Sequence, residues 1–95
     1  MLESKIEKYL VDSCKKRNWL CEKFTSPSGR NKPDRMITIP NKVLFVECKA
    51  TGKTPNAGQL ADHERRRNYN IDVYVIDSLP AVDVLLNQLE SSIEC

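Results

Sequence analysis

Three residues near the middle of the chain could together carry out hydrolytic chemistry: Asp34, Glu47 and Lys49. Glu47 and Lys49 stand two apart at the end of the most strand-like segment, residues 43–50 (VLFVECKA). Period-two alternation puts Val43, Phe45, Glu47 and Lys49 on one face. Two opposite charges therefore close an otherwise apolar face, on a strand whose first residues are apolar on both sides, as in a central strand. Burying charges is costly unless they are paired or bind a metal. Asp34 directly follows Pro33 at the start of the preceding strand, and Pro40-Asn41-Lys42 makes a tight turn between the two. An antiparallel hairpin brings the start of one strand to the end of its partner, so two carboxylates and an ammonium converge at one edge of the sheet. Such a set, with waters and a substrate phosphate, suits Mg²⁺ or Mn²⁺, which prefer hard oxygen ligands. The main-chain carbonyl of Cys48 could add a third protein ligand. Lys49 would orient or help deprotonate the attacking water and stabilise charge on a pentavalent phosphate. Each residue alone has a plainer reading, since Glu-x-Lys arises often by chance and an aspartate after proline commonly caps a turn. Their combination carries the argument.

The elements that must position these groups can be read around them. Residues 2–17 have the period of an amphipathic helix, with Leu2, Ile6, Tyr9, Leu10, Val11 and Cys14 on one arc and Lys5, Lys8, Asp12, Lys15 and Lys16 opposite. Residues 19–24 form a short strand candidate. Residues 25–33 (TSPSGRNKP) cluster Pro, Gly, Ser and Asn and read as a loop. Residues 34–39 alternate as a strand, 51–55 form a second loop, and 56–69 a helix. A strand at 72–77 (DVYVID) and a helix at 79–92, with Val82, Leu85, Leu86 and Leu89 inward, complete the order αβββαβα. A three-strand meander followed by a helical crossover predicts an α/β fold with a mixed sheet flanked by helices, the crossover right-handed.

Length sets the scale: 95 residues make a single domain, 1–95, with a thin core that a dimer interface would support. The longest apolar runs fall far short of a bilayer span, and the N-terminal residues MLESKIEKYL lack the apolar stretch of a secretory signal, so a cytoplasmic location is expected. Cys14, Cys21, Cys48 and Cys95 show no zinc-knuckle or CxxC spacing and are expected to be reduced thiols. The net charge of +2 excludes little, but basic residues gather. Lys15, Lys16 and Arg17 close the first helix, Lys23, Arg30, Lys32 and Arg35 surround the first loop, and Arg65, Arg66 and Arg67 run together. Each cluster alone reads as a solvated face, and together they would make a surface that tracks phosphates. Trp19, Tyr69 and Tyr74 are expected in the core or an interface rather than as base-stacking platforms.

With these residues in hand, KFTSPSGRNKPDRMITIP, LFVECKATGKTP and the glutamine after it resemble the VRR-NUC domain, a branch of the PD-(D/E)xK nuclease superfamily whose small stand-alone forms are typical of phages and prophages. The resemblance runs over roughly residues 3–78 and rests on the Pro-Asp pair, the Glu-x-Lys strand end thirteen residues on, and Gln59 ten residues after Lys49. It implies a restriction-endonuclease-like core, αβββαβ(α), with Asp34 and Glu47 as metal ligands, Lys49 as the catalytic lysine and Gln59 opening a helix near the metal. It also implies a first-helix glutamate at the site. Glu3 and Glu7 both qualify, and Glu7 is preferred because its spacing to Leu10, Cys14 and the first strand is similar to that of related junction resolvases. Lys23, Ser26, Arg30, Lys32 and Lys53 are then candidates for nucleic-acid contact.

Three positions depart from the pattern: Lys32 stands where the family usually has glycine before Pro-Asp, and Asn18-Trp19 replaces a glycine pair. The resemblance implies a Mg²⁺- or Mn²⁺-dependent DNA endonuclease, structure-selective for branched or flapped DNA and homodimeric. The alternative is a non-catalytic nucleic-acid-binding module with a nuclease fold. His63, the single histidine, argues against histidine-based nuclease types. It lies one helical turn after Gln59 and could face the cleft, although a lone helical histidine more often fills core or surface.

Overall fold

The apolar stripe of the first segment folds as helix α1, Glu3–Lys16, burying Ile6, Leu10, Ser13 and Cys14. Glu3 in its first turn and Lys15 and Lys16 in its last complement the helix dipole. Leu2, expected on the apolar arc, instead stands exposed just before the helix. The chain turns at Asn18, whose φ of 60° lies in the left-handed region that asparagine tolerates. In the computed structural model, which describes residues 1–24 and 33–94, there follow β1 (Leu20–Lys23), β2 (Arg35–Ile39), β3 (Lys42–Cys48), α2 (Ala57–Arg67), β4 (Val73–Ile76) and α3 (Leu79–Glu94). The sheet order is β1-β2-β3-β4, with β3 and β4 parallel and the other pairs antiparallel. This is the expected mixed α/β architecture.

The two-residue turn Pro40-Asn41 joins β2 to β3, with Asn41 at φ 63° and Ile39 paired with Lys42. Asparagine pays little for that conformation, so the turn fixes the register of the hairpin. Register then decides which residues face which helix. Leu44, Val46 and Cys48 point to one side with Ile37 and Ile39, where they pack in one cluster with Ile6, Leu10 and Cys14 of α1 and Val82, Leu85, Leu86 and Leu89 of α3. The helices are further tied by Tyr9 Oη, which donates to Asp83 at 2.7 Å, and by an ion pair between Arg17 and Glu90. Cys14, Cys21 and Cys48 are free thiols, as expected. Cys95 lies outside the described residues. No described helix is long and apolar enough to cross a membrane.

The opposite face of the sheet is covered by α2. Phe45 and Val73 are buried there, and Phe24 meets Phe45 edge-on with ring centroids 5.0 Å apart. Arg66 lies over both rings, at 5.1 and 4.7 Å, and is oriented by Asp62 at 2.8 Å. Arg67 donates to the Val73 carbonyl at 2.6 Å. Two of the three arginines expected to form a phosphate-tracking run are thus spent on holding α2 to the sheet. Arg65 keeps an exposed side chain beside Asp62. Val43, near the turn, lies beyond the cover of α2 and is exposed, and so is Tyr69, which the sequence placed in the core or an interface.

Candidate active site

The site lies where the α2-covered face reaches the end of the β2–β3 hairpin away from the turn. Arg35 pairs with Val46, so the antiparallel register carried one step further sets Asp34 opposite Glu47 on the same face. β3 ends at Cys48, two residues short of the predicted end, yet Lys49 N still donates to the Ile76 carbonyl at 2.9 Å and extends the ladder towards β4. Asp34 is itself fixed: its Oδ2 accepts from the Cys48 backbone N–H at 2.8 Å, and its carbonyl accepts from Phe24 N at 3.0 Å. The hairpin thus brings Asp34, Glu47 and Lys49 together, as their spacing predicts.

Glu47 is the anomaly at the centre, a carboxyl with only 2% of its surface exposed. Its Oε2 stands 3.4 Å from Gln59 Nε2 and 3.9 Å from Lys49 Nζ. Its Oε1 stands 3.4 Å from His63 Nε2. Burial above all, then the negative charge of Asp34 and a hydrogen bond to it, hold the Glu47 carboxyl up at about 8, with Lys49 opposing the rise. Two carboxyl groups have been pressed together at a sheet end with one ammonium alongside. That arrangement favours a further cation.

Helix α2 presents its part of the site through its N-terminus. Asn56 caps the helix and forms a reciprocal box with Gln59: Asn56 Oδ1 accepts from Gln59 N at 2.8 Å, and Gln59 Oε1 accepts from Asn56 N at 3.0 Å. Because the box occupies the amide oxygen, the amide nitrogen of Gln59 is the end turned towards Glu47. One turn on, His63 is fully buried, its Nδ1 has no hydrogen-bond partner among the described residues, and burial pushes its imidazole below the usual histidine range. His63 is the site neighbour that sequence reasoning did not assign a role. The signal was present in its four-residue spacing from Gln59, which puts both on one helix face.

The first-helix acids divide. Glu7 is paired with Arg35, Oε2 to Nε at 2.7 Å, with both side chains mostly covered. The negative charge of Glu3 acts on Glu47, and the charges of both acids act on the neighbouring Cys48 thiol, which burial pushes far up. Lys23 and Lys53 are exposed, at the end of β1 and in the loop after β3. That loop is anchored, with Thr51 Oγ1 on the Asp77 carbonyl at 2.8 Å, Thr51 N on the Met1 carbonyl at 3.1 Å and Gly52, at φ 83°, donating to Asp77 Oδ2 at 3.2 Å. Ser26, Arg30 and Lys32 lie outside the described residues.

No protein-family model matches the chain. It is, however, 43% identical over 88 residues to a protein of Acyrthosiphon pisum secondary endosymbiont phage 1 named "Putative nuclease p44", a match covering 85% of this chain and 95% of the relative. A solved structure of a VRR_NUC domain superposes with a TM-score of 0.83 at 29% identity, covering 90% of this chain and 94% of that one. The chain belongs to the VRR-NUC nuclease family. The three helices and four-stranded mixed sheet of the described residues are that family's restriction-endonuclease-like fold. In this VRR-NUC chain the Pro-Asp and Glu-x-Lys residues meet at the end of the hairpin.

The donor set can be weighed for a divalent cation. Among the described residues no three His, Cys, Asp or Glu side chains stand together as a metal cluster. A cation here would take Asp34 and Glu47, and the Cys48 carbonyl between Glu47 and Lys49, with water completing its shell. That is the habit of Mg²⁺, which binds through one or two carboxylates and retains several waters. The residues therefore fit a hard, hydrated ion and do not fit a closed zinc site.

Proposed function

We propose that this chain is an endonuclease that hydrolyses DNA phosphodiester bonds with Mg²⁺ or Mn²⁺ held by Asp34 and Glu47. The observation that carries this reading is the hairpin register that sets Asp34 opposite the buried Glu47 at one sheet end, with Lys49 Nζ 3.9 Å from Glu47 Oε2. A bound divalent ion supplies Lewis acidity towards the phosphoryl oxygen and lowers the pKa of a water. The chain's own residues do the rest. Lys49 sets its ammonium where it can orient the attacking water and stabilise charge developing on the phosphate. Gln59, held by the Asn56 box, steadies Oε2 of Glu47. The Cys48 N–H fixes the Asp34 carboxylate, and the Cys48 carbonyl is the third oxygen offered to the ion.

The first-helix acid belongs to the same site. Glu7 remains the reading from family likeness, held by Arg35, while Glu3 adds only the smallest of the charges acting on Glu47, after those of Asp34 and Lys49. Exposed Lys23 and Lys53 would meet phosphates, and Ser26, Arg30 and Lys32, which precede Asp34 in the sequence, are candidates for the same contact. Such contacts position a backbone without reading bases, which supports selection by shape: branched or flapped DNA, cut by a homodimer that places two sites on one substrate, in the cytoplasm.

The test is cleavage of labelled single-stranded, duplex, flapped and four-way-junction DNA with Mg²⁺, Mn²⁺ or EDTA, beside Lys49→Ala. The expected outcome is metal-dependent cutting, strongest on a branched form, that falls by about 10²–10³-fold in the variant. A well-folded protein that binds these DNAs and cuts none with either metal contradicts the reading and leaves a binding module.

A further inference from the structure

Beneath the site lies one residue that the proposed reaction does not use. His63 is fully buried on the sheet side of α2, yet among the described residues only one of its ring nitrogens has a neighbour to bond: Nε2 faces Glu47 Oε1 at 3.4 Å, and Nδ1 has none. As filler this is a poor choice, because a leucine would occupy the space without leaving a buried polar atom unpaired. The contact is also directional. Gln59 and Lys49 stand on Oε2 of Glu47 and the imidazole on Oε1, so the two oxygens are held from different sides.

We propose that His63 is a positioning residue: by donating from Nε2 to Oε1, it holds the Glu47 carboxylate in the orientation that, with Asp34, receives the divalent cation. The inference rests on the nuclease reading and assigns His63 no contact with substrate. Partners behind a metal-ligating group fix its orientation, and their loss typically costs about 10–100-fold in metal affinity or activity. At 3.4 Å the bond is long for N–H···O. Fixing Glu47 as a ligating carboxylate should shorten it, so metal binding should be felt at the imidazole although His63 is not a ligand.

His63 is the single histidine, so its ring resonances need no separate assignment. The experiment follows the ¹⁵N signals of the imidazole as Mg²⁺ is added to the wild-type protein, and measures Mn²⁺ binding by calorimetry for wild type, His63→Leu and His63→Gln. Circular dichroism melting and DNA cleavage accompany each variant. The expected result is a ring with its proton on Nε2 whose Nε2 signal moves with Mg²⁺ and saturates with binding. His63→Leu should melt at or above the wild-type temperature while binding Mn²⁺ about 10–100-fold more weakly. Its kcat should fall with little change in KM for DNA, and His63→Gln, which returns an N–H near the Nε2 position, should recover most of the Mn²⁺ affinity. Imidazole signals that stay still while Mg²⁺ binds, or a folded His63→Leu protein that binds Mn²⁺ like the wild type, would overturn the proposal. Should His63→Leu fail to fold, the wild-type spectra decide alone. A wild-type protein that binds neither metal overturns the nuclease reading itself, and this inference with it.

Discussion

The two faces of the sheet are built on opposite principles. On the face under α1 and α3, Leu44, Val46, Cys48, Ile37 and Ile76 meet Ile6, Leu10, Val82, Leu86 and their neighbours in one continuous apolar cluster. Under α2, Phe45 and Val73 are apolar, but the helix is held mainly by polar handles: His63 and Gln59 on Glu47, Arg66 over two aromatic rings, Arg67 on the Val73 carbonyl. One face uses dispersion and exclusion of water to make the domain stand. The other keeps a buried carboxyl, an unpaired imidazole nitrogen and two acids in contact, all of which cost stability. A fold carries such a face at the site where its chemistry is done, and the apolar face offsets the cost.

The sharpest way to break this contrast is to cut into each face. Leu44→Ala, on the apolar face, is expected to destabilise the domain by about 2–5 kcal/mol in denaturant unfolding, enough to unfold much of a small protein. Glu47→Gln, three residues along the same strand and facing the other way, should abolish cleavage without a comparable loss.

The same substitution sharpens the contrast through pH. The folded-state pKa of Glu47 is raised, to about 8 from an ordinary 4.5. Its contribution is therefore fully present below 4.5 and is lost as pH rises through 8. Metal-free wild-type protein should lose stability across that window by at most about 1.4 kcal/mol per pH unit from this group. Glu47→Gln should flatten the curve, and saturating Mg²⁺ should remove the loss. An unchanged slope in the variant would mean that Glu47 does not keep its proton in the fold.

Asn56→Ala should cost about 1 kcal/mol through the lost cap and leave cleavage nearly unchanged, because the N–H that holds the Gln59 amide oxygen belongs to the backbone of residue 56 and survives the substitution. The smallest effect separates the two first-helix acids. Glu7→Gln, at the acid read as part of the site, should weaken Mn²⁺ binding by a few-fold more than Glu3→Gln, and it also breaks a mostly covered ion pair with Arg35.

What the sequence revealed and what it hid follow the same division. The hairpin was legible because Pro33, Asp34 and the Pro40-Asn41 turn act locally, and register then converts spacing into convergence. The apolar face was legible from periodicity, which placed Ile6, Leu10, Cys14, Val82 and Leu86 inward. The other face was not, because its residues take their meaning from partners far along the chain. Arg66 and Arg67 look like a free basic run until Phe24, Phe45 and the Val73 carbonyl are found beside them. Glu7 reads from its spacing as the first-helix acid of the site, and its pairing with Arg35 shows only once β2 is placed beside α1. His63 could be read only as one turn from Gln59, since its burial against Glu47 depends on where α2 settles on the sheet.

The central claim, that Asp34 and Glu47 together form a divalent-cation site, is tested most directly by titrating Mn²⁺ into wild type, Asp34→Asn and Glu47→Gln by calorimetry, with folding checked by circular dichroism. Specific saturable binding in the wild type that disappears in both folded variants is the predicted result. Equal binding in all three proteins would place the metal elsewhere and contradict the account.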